Sequence, residues 1–265
     1  MIVIGEKCNS SIPAAQAAFA QGDAEYIRTM AQKQLDCGAD YLDVNAGMFQ
    51  DEAEKLLWAV EEILSACGEN TPLVLDSANP AAVSAVLERY PLKKCIINSL
   101  TLEPARFDGM LPLVKQYATG IIALPMDERG IPKDSAMRVE NARTVIEKLR
   151  ENGIADDRIY IDLVVEALSA DACSAKGALE AAAQIKAEFP DVHLVGGMSN
   201  ISFGLPKRMF LNSAFLTAAV MAGLDTAIMD ITSPSMKMCL LASELVKGED
   251  EFCMEYLSGY REIYN

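Results

Sequence analysis

The chain has 265 residues, 51% of them hydrophobic and only 6% aromatic, with a formal net charge of −15. That length can bury a large α/β core, and the acidic balance argues against nucleic acid or an anionic membrane surface as partner. No apolar run approaches the roughly 18 residues of a membrane span. The seven scattered cysteines, with no CxxC, read as reduced thiols of a cytoplasmic protein rather than as disulfides or metal ligands.

In chain order, MIVIGEKCNS turns polar after four residues, so a strand is expected there and not a signal peptide. Short β-type runs then recur at a regular pace: Ile2–Ile4, Tyr41–Val44, Leu73–Leu75, Cys95–Ile97, Gly120–Leu124, Arg158–Ile161, Val192–Val195 and Thr226–Met229. Between them lie stretches of helical spacing, such as GDAEYIRTMAQKQLDCGA, DEAEKLLWAVEEILSACG, NPAAVSAVLERY and SAMRVENARTVIEKLRENG. Gly38, Gly68 and Gly153 read as helix stops, and Asp23 and Ser135 as N-caps. Pro206 is expected near the first turn of a helix in LPKRMFLNSAFLTAAVMAG.

Eight strands alternating with about eight helices over ~250 residues is the count of an α/β (β/α)8 TIM barrel. A doubly wound sheet is the competing architecture, but GEKCNSSIPAAQAAF after the first run has no glycine-rich phosphate loop. No linker, low-complexity tract or charge block interrupts the chain. Residues 1–265 are therefore expected to form one domain.

The polar residues at the end of each apolar run carry the functional signal. In order come Glu6, Asp43 with Asn45, Asp76, Asn98, Asp127, Asp162, Ser199 with Asn200, and Asp230. A barrel gathers such residues at one mouth, the C-terminal face, where active sites of this fold lie. Singly, each is equally well a helix cap or turn former. The stretch LVGGMSNISFGL at Leu194–Leu205 stands out, because a glycine pair lets backbone approach a ligand just before Ser199 and Asn200.

Acceptors abound in this ring and cations are scarce, with Arg208 and Lys133 the nearest. A Mg²⁺ site stays open as an alternative. Sugar phosphates fit poorly without phosphate loops or a Schiff-base lysine. A neutral heterocycle with N–H donors, such as the 2-amino-4-oxo pyrimidine edge of a pterin, fits best, since carboxylates and amides can receive those donors in pairs.

The motifs GEKCN (Gly5–Asn9), LDVNAG (Leu42–Gly47), LDSAN (Leu75–Asn79), INS (Ile97–Ser99), GIPKD (Gly130–Asp134), YIDLVV (Tyr160–Val165) and GMSNISFGLPKR (Gly197–Arg208) occur in one order along the chain. Together they closely resemble the methyltetrahydrofolate:corrinoid protein methyltransferases. That family shares a pterin-binding barrel with dihydropteroate synthase and with the folate module of cobalamin-dependent methionine synthase.

The resemblance implies a homodimeric TIM barrel with tetrahydrofolate or 5-methyltetrahydrofolate in the mouth and a corrinoid (cobalamin) carried by a partner corrinoid protein. It carries Asp76, Asn98 and Asp162 over as pterin-ring contacts, Asn200 as the residue near N5, and Arg208 as a further ligand contact. Glu6, Asn9, Asp43, Ser199 and Phe203 become mouth residues of second rank; Phe203 replaces the polar residue of some relatives, so its contact would be stacking or packing. No metal ligands are implied.

The implied reaction moves a methyl group between N5 and cobalt. N5 is a very poor leaving group, so methyltetrahydrofolate must be protonated or strongly hydrogen-bonded there before Co(I) attacks. Asn200 can donate a hydrogen bond but not a proton, so the proton is expected through a network of Asp162, Asp76 and Ser199, with water as a carrier. Two alternatives remain: a dihydropteroate synthase-like enzyme, for which no SRK-like loop is found, and a non-catalytic folate-binding protein. Asp191–Gly196 also matches DxHxxG, by which corrinoid domains ligate cobalt. The accompanying SxL is missing at Ser233–Lys237, and His193 falls within a strand, so a chance match is expected.

Overall fold

The computed structural model describes residues 1–264. Its strands are β1 (Ile2–Asn9), β2 (Tyr41–Asn45), β3 (Leu73–Asp76), β4 (Cys95–Leu100), β5 (Gly120–Ala123), β6 (Ile159–Asp162), β7 (His193–Gly197) and β8 (Thr226–Met229). All neighbours pair in parallel, and β8 closes on β1 through Ile2–Gly5, giving an eight-stranded barrel. The helices are α1 (Pro13–Gln21), α2 (Ala24–Asp36), α3 (Glu52–Cys67), α4 (Pro80–Arg89) and α5 (Pro104–Gln116). They continue with α6 (Ser135–Glu151), α7 (Ser174–Glu188), α8 (Arg208–Met221), α9 (Pro234–Lys247) and α10 (Met254–Tyr264). The (β/α)8 TIM barrel is thus the observed fold.

Strand periodicity of two splits the apolar residues into two shells. Leu42, Val44, Leu73, Leu75, Ile97, Ile121, Ile161 and Leu194 face outward and pack under the helices with Ile27, Leu56, Ile63, Val83 and Val145. Ile4, Val74, Ile96, Ile122, Tyr160 and Val195 face inward and fill the barrel. At roughly 1.5–3 kcal/mol for each fully buried aliphatic side chain, these shells dominate stability.

Six of the strands run further toward the mouth than their apolar runs suggest, whereas β8 ends as expected and β5 stops at Ala123, one residue short of the expected Leu124. β2, β3 and β6 each include the Asn or Asp that ends the run, and β1 continues to Asn9. Those residues still pair along the ladder, Asn45 with Asp76 and Asp76 with Asn98. Hydrophobicity reports only the buried part of a strand, while pairing continues to the mouth.

In β1, Gly5 pairs with Leu42 but Cys8 with Val44, so one extra residue is accommodated between them. This bulge changes the parity of the strand and turns both Glu6 and Asn9, three residues apart, to the mouth. The buried Gln34 of α2 satisfies it, accepting from the Lys7 N–H at 2.8 Å and donating to Cys8 Sγ at 3.6 Å. A Cβ at Gly5 would lie 2.5 Å from Gln34 Oε1, so a larger residue would displace the amide that satisfies the bulge.

Two terminal assignments shift. Asp23 caps α2 as expected, accepting from Tyr26 N–H at 3.0 Å, but Asp134 rather than Ser135 caps α6, accepting from Met137 N–H at 2.8 Å. Pro206 lies outside α8, which starts at Arg208 after Lys207 in the left-handed region. The segment between β1 and β2 holds two helices, α1 and α2, and α10 comes after α9 and a 3-10 turn, so ten α-helices are seen among the described residues. No helix there is long and apolar enough to cross a membrane.

Candidate active site

On the β1–β4 side of the mouth, polar side chains are tied to one another rather than to cations. Asn9 Nδ2 donates to Asp43 Oδ2 at 2.8 Å and to Asp76 Oδ2 at 3.2 Å. Asn45 fixes the adjoining loops, accepting from Ser10 Oγ at 2.8 Å and Gly47 N–H at 3.0 Å while donating to the Asp76 carbonyl at 3.1 Å. Asn98 sits beside Asp76 in register on β4. Across the barrel, Asp162 Oδ1 accepts from Val164 N–H at 2.6 Å.

The β7–β8 side is different, because its charges are paired. Ser199 Oγ donates to Glu6 Oε1 at 2.7 Å, and the Ser199 carbonyl accepts from the Arg208 guanidinium at 2.6 Å. Lys7 meets Asp230 at 2.6 Å. Asp127 lies four residues beyond the end of β5, in the adjoining loop, where Arg129 chelates it at 2.7 Å. It is therefore a neutralised loop residue and not a free acceptor at a strand end.

Burial raises the carboxyl pKa values around the mouth, more than the nearby cations lower them. Desolvation pushes Asp76 up to about 6, against the hydrogen bonds of Asn45 and Asn9. It pushes Asp162 to about 6 as well, against the Val164 N–H and the charge of Arg138. Burial also raises Glu6, opposed by Ser199 and Lys7. At neutral pH, Asp76 and Asp162 are ionised acceptors poised close to protonation. Such groups bind N–H donors strongly.

Asn200 opens a 3-10 turn (Asn200–Ser202) and is exposed above the mouth. Its amide folds back over Gly197, where a Cβ would lie 3.0 Å from Nδ2. The second glycine of the pair thus gives the amide room.

A model of the family described as pterin binding enzyme matches residues 13–230. The chain belongs to the pterin-binding enzymes. It is similar to a methylcorrinoid:tetrahydrofolate methyltransferase of Eubacterium limosum, 35% identical across 99% of this chain and 97% of that one. A methionine synthase of Mycobacterium tuberculosis is 30% identical over 86% of this chain, which spans only 20% of that longer protein. A solved dihydropteroate synthase of Coxiella burnetii, in complex with pteroic acid, superposes with a TM-score of 0.68 at 16% identity, covering 93% of each chain. The Thermus thermophilus enzyme in complex with 6HMPPP gives 0.67 at 17% identity, covering 92% of this chain and 94% of that one. At such identities these two show a shared fold alone.

In this pterin-binding enzyme the expected site residues gather in two groups. Asn9, Asp43, Asp76, Asn98 and Asp162 form the acceptor side; Glu6, Ser199 and Arg208 form a linked chain on the other. Ser199 is bonded to Glu6, not to Asp162, and Arg208 also donates to Ser202 Oγ at 3.0 Å. Phe203 is 69% exposed. His193 opens β7 at the barrel end opposite the mouth, stacked on Tyr160 with centroids 4.5 Å apart. Among the described residues no group of three or more His, Cys, Asp or Glu is disposed to hold a metal ion.

Sequence reasoning missed Lys7, which pairs with Asp230, and Gln34 and Arg138, which act on the site through backbone groups. Arg138 of α6 is buried and donates to the Leu163 and Val164 carbonyls at 2.7 and 3.0 Å and to Glu166 at 3.1 Å. It holds the turn after β6, in which Val164 has φ +48° and returns its N–H to Asp162. Only its place in the first turn of an apolar helix face could have drawn attention. Arg138→Met should cost about 2–3 kcal/mol, the scale for buried acceptors left unpaired. Urea unfolding checks this, and a loss below 0.5 kcal/mol (roughly a neutral surface change) would contradict it.

Proposed function

We propose that the chain transfers a methyl group between N5 of tetrahydrofolate and the cobalt of a corrinoid carried by a separate protein. The observation that carries the reading is the acceptor set of Asp76, Asn98 and Asp162, in which neither carboxylate forms an ion pair among the described residues, with Asn200 exposed at the end of β7. The pyrimidine edge of a pterin presents N–H groups that this set accepts, which leaves the reduced ring turned toward Asn200. The E. limosum relative, whose name pairs methylcorrinoid with tetrahydrofolate, supports the same chemistry.

When methyl leaves tetrahydrofolate, N5 must gain hydrogen-bond or proton support as its bond to the methyl carbon breaks. Asn200 donates that bond, and Asp76 and Asp162, ionised at neutral pH but with pKa values of about 6, are the carboxylates best placed to take up and pass on a proton. When methyl arrives from cobalt, the N5 lone pair attacks the methyl carbon. The Co–C bond breaks with its electron pair left on the partner's cobalt as Co(I), and N5 then gives up its proton. The site's task is to orient the ring and keep the N5 lone pair free beforehand. The reaction centre must face a second protein. Met48 and Phe203 at the loops and Phe210 in the first turn of α8 are exposed apolar side chains on that face, suited to a docked carrier.

Asp76→Ala should weaken tetrahydrofolate binding by about 10-fold or more, the cost of losing a charge-assisted acceptor. Calorimetric affinity equal to that of the unmodified chain would remove Asp76 from the pocket. The homodimer implied by the resemblance and the cytoplasmic setting read from the cysteines belong to this proposal, and sedimentation of the purified chain tests the first. A dihydropteroate synthase reading has the shared fold in its favour, and incubation with a pterin diphosphate and p-aminobenzoate separates the two.

A further inference from the structure

Asp43 lies deeper than the other candidate acceptors. In the β2–β3 ladder it pairs with Val74, whereas Asn45 pairs with Asp76. It therefore occupies the level of the barrel filled by Val74 and Ile96, one inward step beneath Asp76 and Asn98. The residue is 2% exposed. Its Oδ2 accepts the Asn9 amide, and its Oδ1 has no hydrogen-bond partner among the described residues.

The groups that face it offer no positive charge. Glu6 and the Cys8 thiol approach from β1, Asp76 from β3 and the Asn98 amide from β4. Lys7 is turned to Asp230, and Glu52 of α3 adds negative charge behind Asp76. An ionised Asp43 would thus combine an unpartnered oxygen, an apolar layer and a second carboxylate across a single amide. Each of these disfavours the charged form.

We propose that Asp43 holds a proton while Asp76 is ionised, so that Asn9 bridges a neutral acid and a carboxylate. Asp43 is then a positioning residue. It fixes Asn9 and limits the array to one negative charge, which falls on the oxygen pair nearer the mouth. That assignment of Asp76 as the acceptor for the pterin rests on the methyl-transfer reading; the proton on Asp43 does not. Burial first, and the neighbouring Asp76 second, raise the Asp43 carboxyl far above its ordinary range. The bonded Asn9 amide, with the Asn98 amide nearby but making no formed hydrogen bond, only partly opposes this.

Infrared spectra of the ligand-free protein at neutral pH should show a protonated-carboxyl C=O band that Asp43→Asn removes and Asp76→Asn leaves in place. Absence of the band from the unmodified chain, or its survival in Asp43→Asn, overturns the proposal. Carbon-13 NMR of labelled aspartates in the unmodified chain gives the same answer without a variant. One carboxyl should keep the shift of a neutral acid through neutral pH, and full ionisation of all of them overturns the idea. In the pH profile of kcat/KM for tetrahydrofolate, Asp43→Asn should leave the acid limb in place, because a neutral neighbour is exchanged for a neutral one. A shift of that limb by a full unit to lower pH would mean that a charge had been removed, and would refute the proposal. The spectra need no substrate, so their failure leaves the methyl-transfer reading standing, and absence of methyl transfer leaves the spectra to be read on their own.

Discussion

Asn200→Ala is expected to lower the rate of methyl transfer by roughly 10²-fold or more, the scale for losing a hydrogen bond that matters most in the transition state. The loss should fall mainly on kcat. Asn200 is exposed and no hydrogen bond joins it to the Asn9–Asp43–Asp76 array, so the groups proposed to receive the pyrimidine edge should stay in place without it. Because the side chain is exposed, stability should change little, within about 0.5 kcal/mol. Asn200→Asp is the informative companion: it keeps the shape but trades a donor for a charged acceptor, and it should be at least as slow as the alanine variant at neutral pH. Stopped-flow rates with a saturating corrinoid partner check both, and wild-type turnover by Asn200→Ala would remove the residue from the mechanism.

Asp162→Asn should split stability from binding. The carboxyl titrates near 6 in the folded chain against an ordinary value of 3.8, so the folded state holds this proton more tightly than the unfolded one. By linkage, its contribution to stability is full below about pH 4 and is lost as the pH rises through about 6. At neutral pH the ligand-free protein carries that cost, on the order of 2 kcal/mol after allowing for the opening to the mouth. An amide keeps the Val164 contact without the charge, so Asp162→Asn should raise the midpoint of thermal unfolding at neutral pH and show no gain near pH 4. Tetrahydrofolate affinity should move the other way and fall by about 10- to 100-fold, since a charge-assisted acceptor becomes a neutral one. In the unmodified chain, affinity should strengthen as the pH rises through about 6. Equal loss of stability and affinity in the variant would mean a structural role only.

The barrel and most of the mouth were legible in the sequence for one reason. Every strand but β5 pairs an apolar run, which reports burial, with a polar residue at or just past its mouth end, and the fold brings those ends together. Thr226–Met229 emerges with the bounds read from the sequence, because its apolar run and its ladder end together. Asn9 shows where pattern reading stops. Its direction depends on the bulge at Gly5–Cys8, which rests on Gln34 from a different element. Asp127 misled because its Arg129 partner is two residues away in a loop, where no periodicity speaks. Arg138 reads as one more charged residue in a helix, and its role arises only when α6 packs against the turn after β6. Asp43 and Asp76 look alike in sequence, and only the register shows that one lies beneath the other.

The most direct test mixes the purified chain with tetrahydrofolate and a corrinoid protein charged with methylcobalamin, under anaerobic conditions. The methyl-transfer reading predicts 5-methyltetrahydrofolate appearing in step with cob(I)alamin, and the reverse conversion when methyltetrahydrofolate and the Co(I) protein are supplied. Tight tetrahydrofolate binding with no methyl movement in either direction would contradict it.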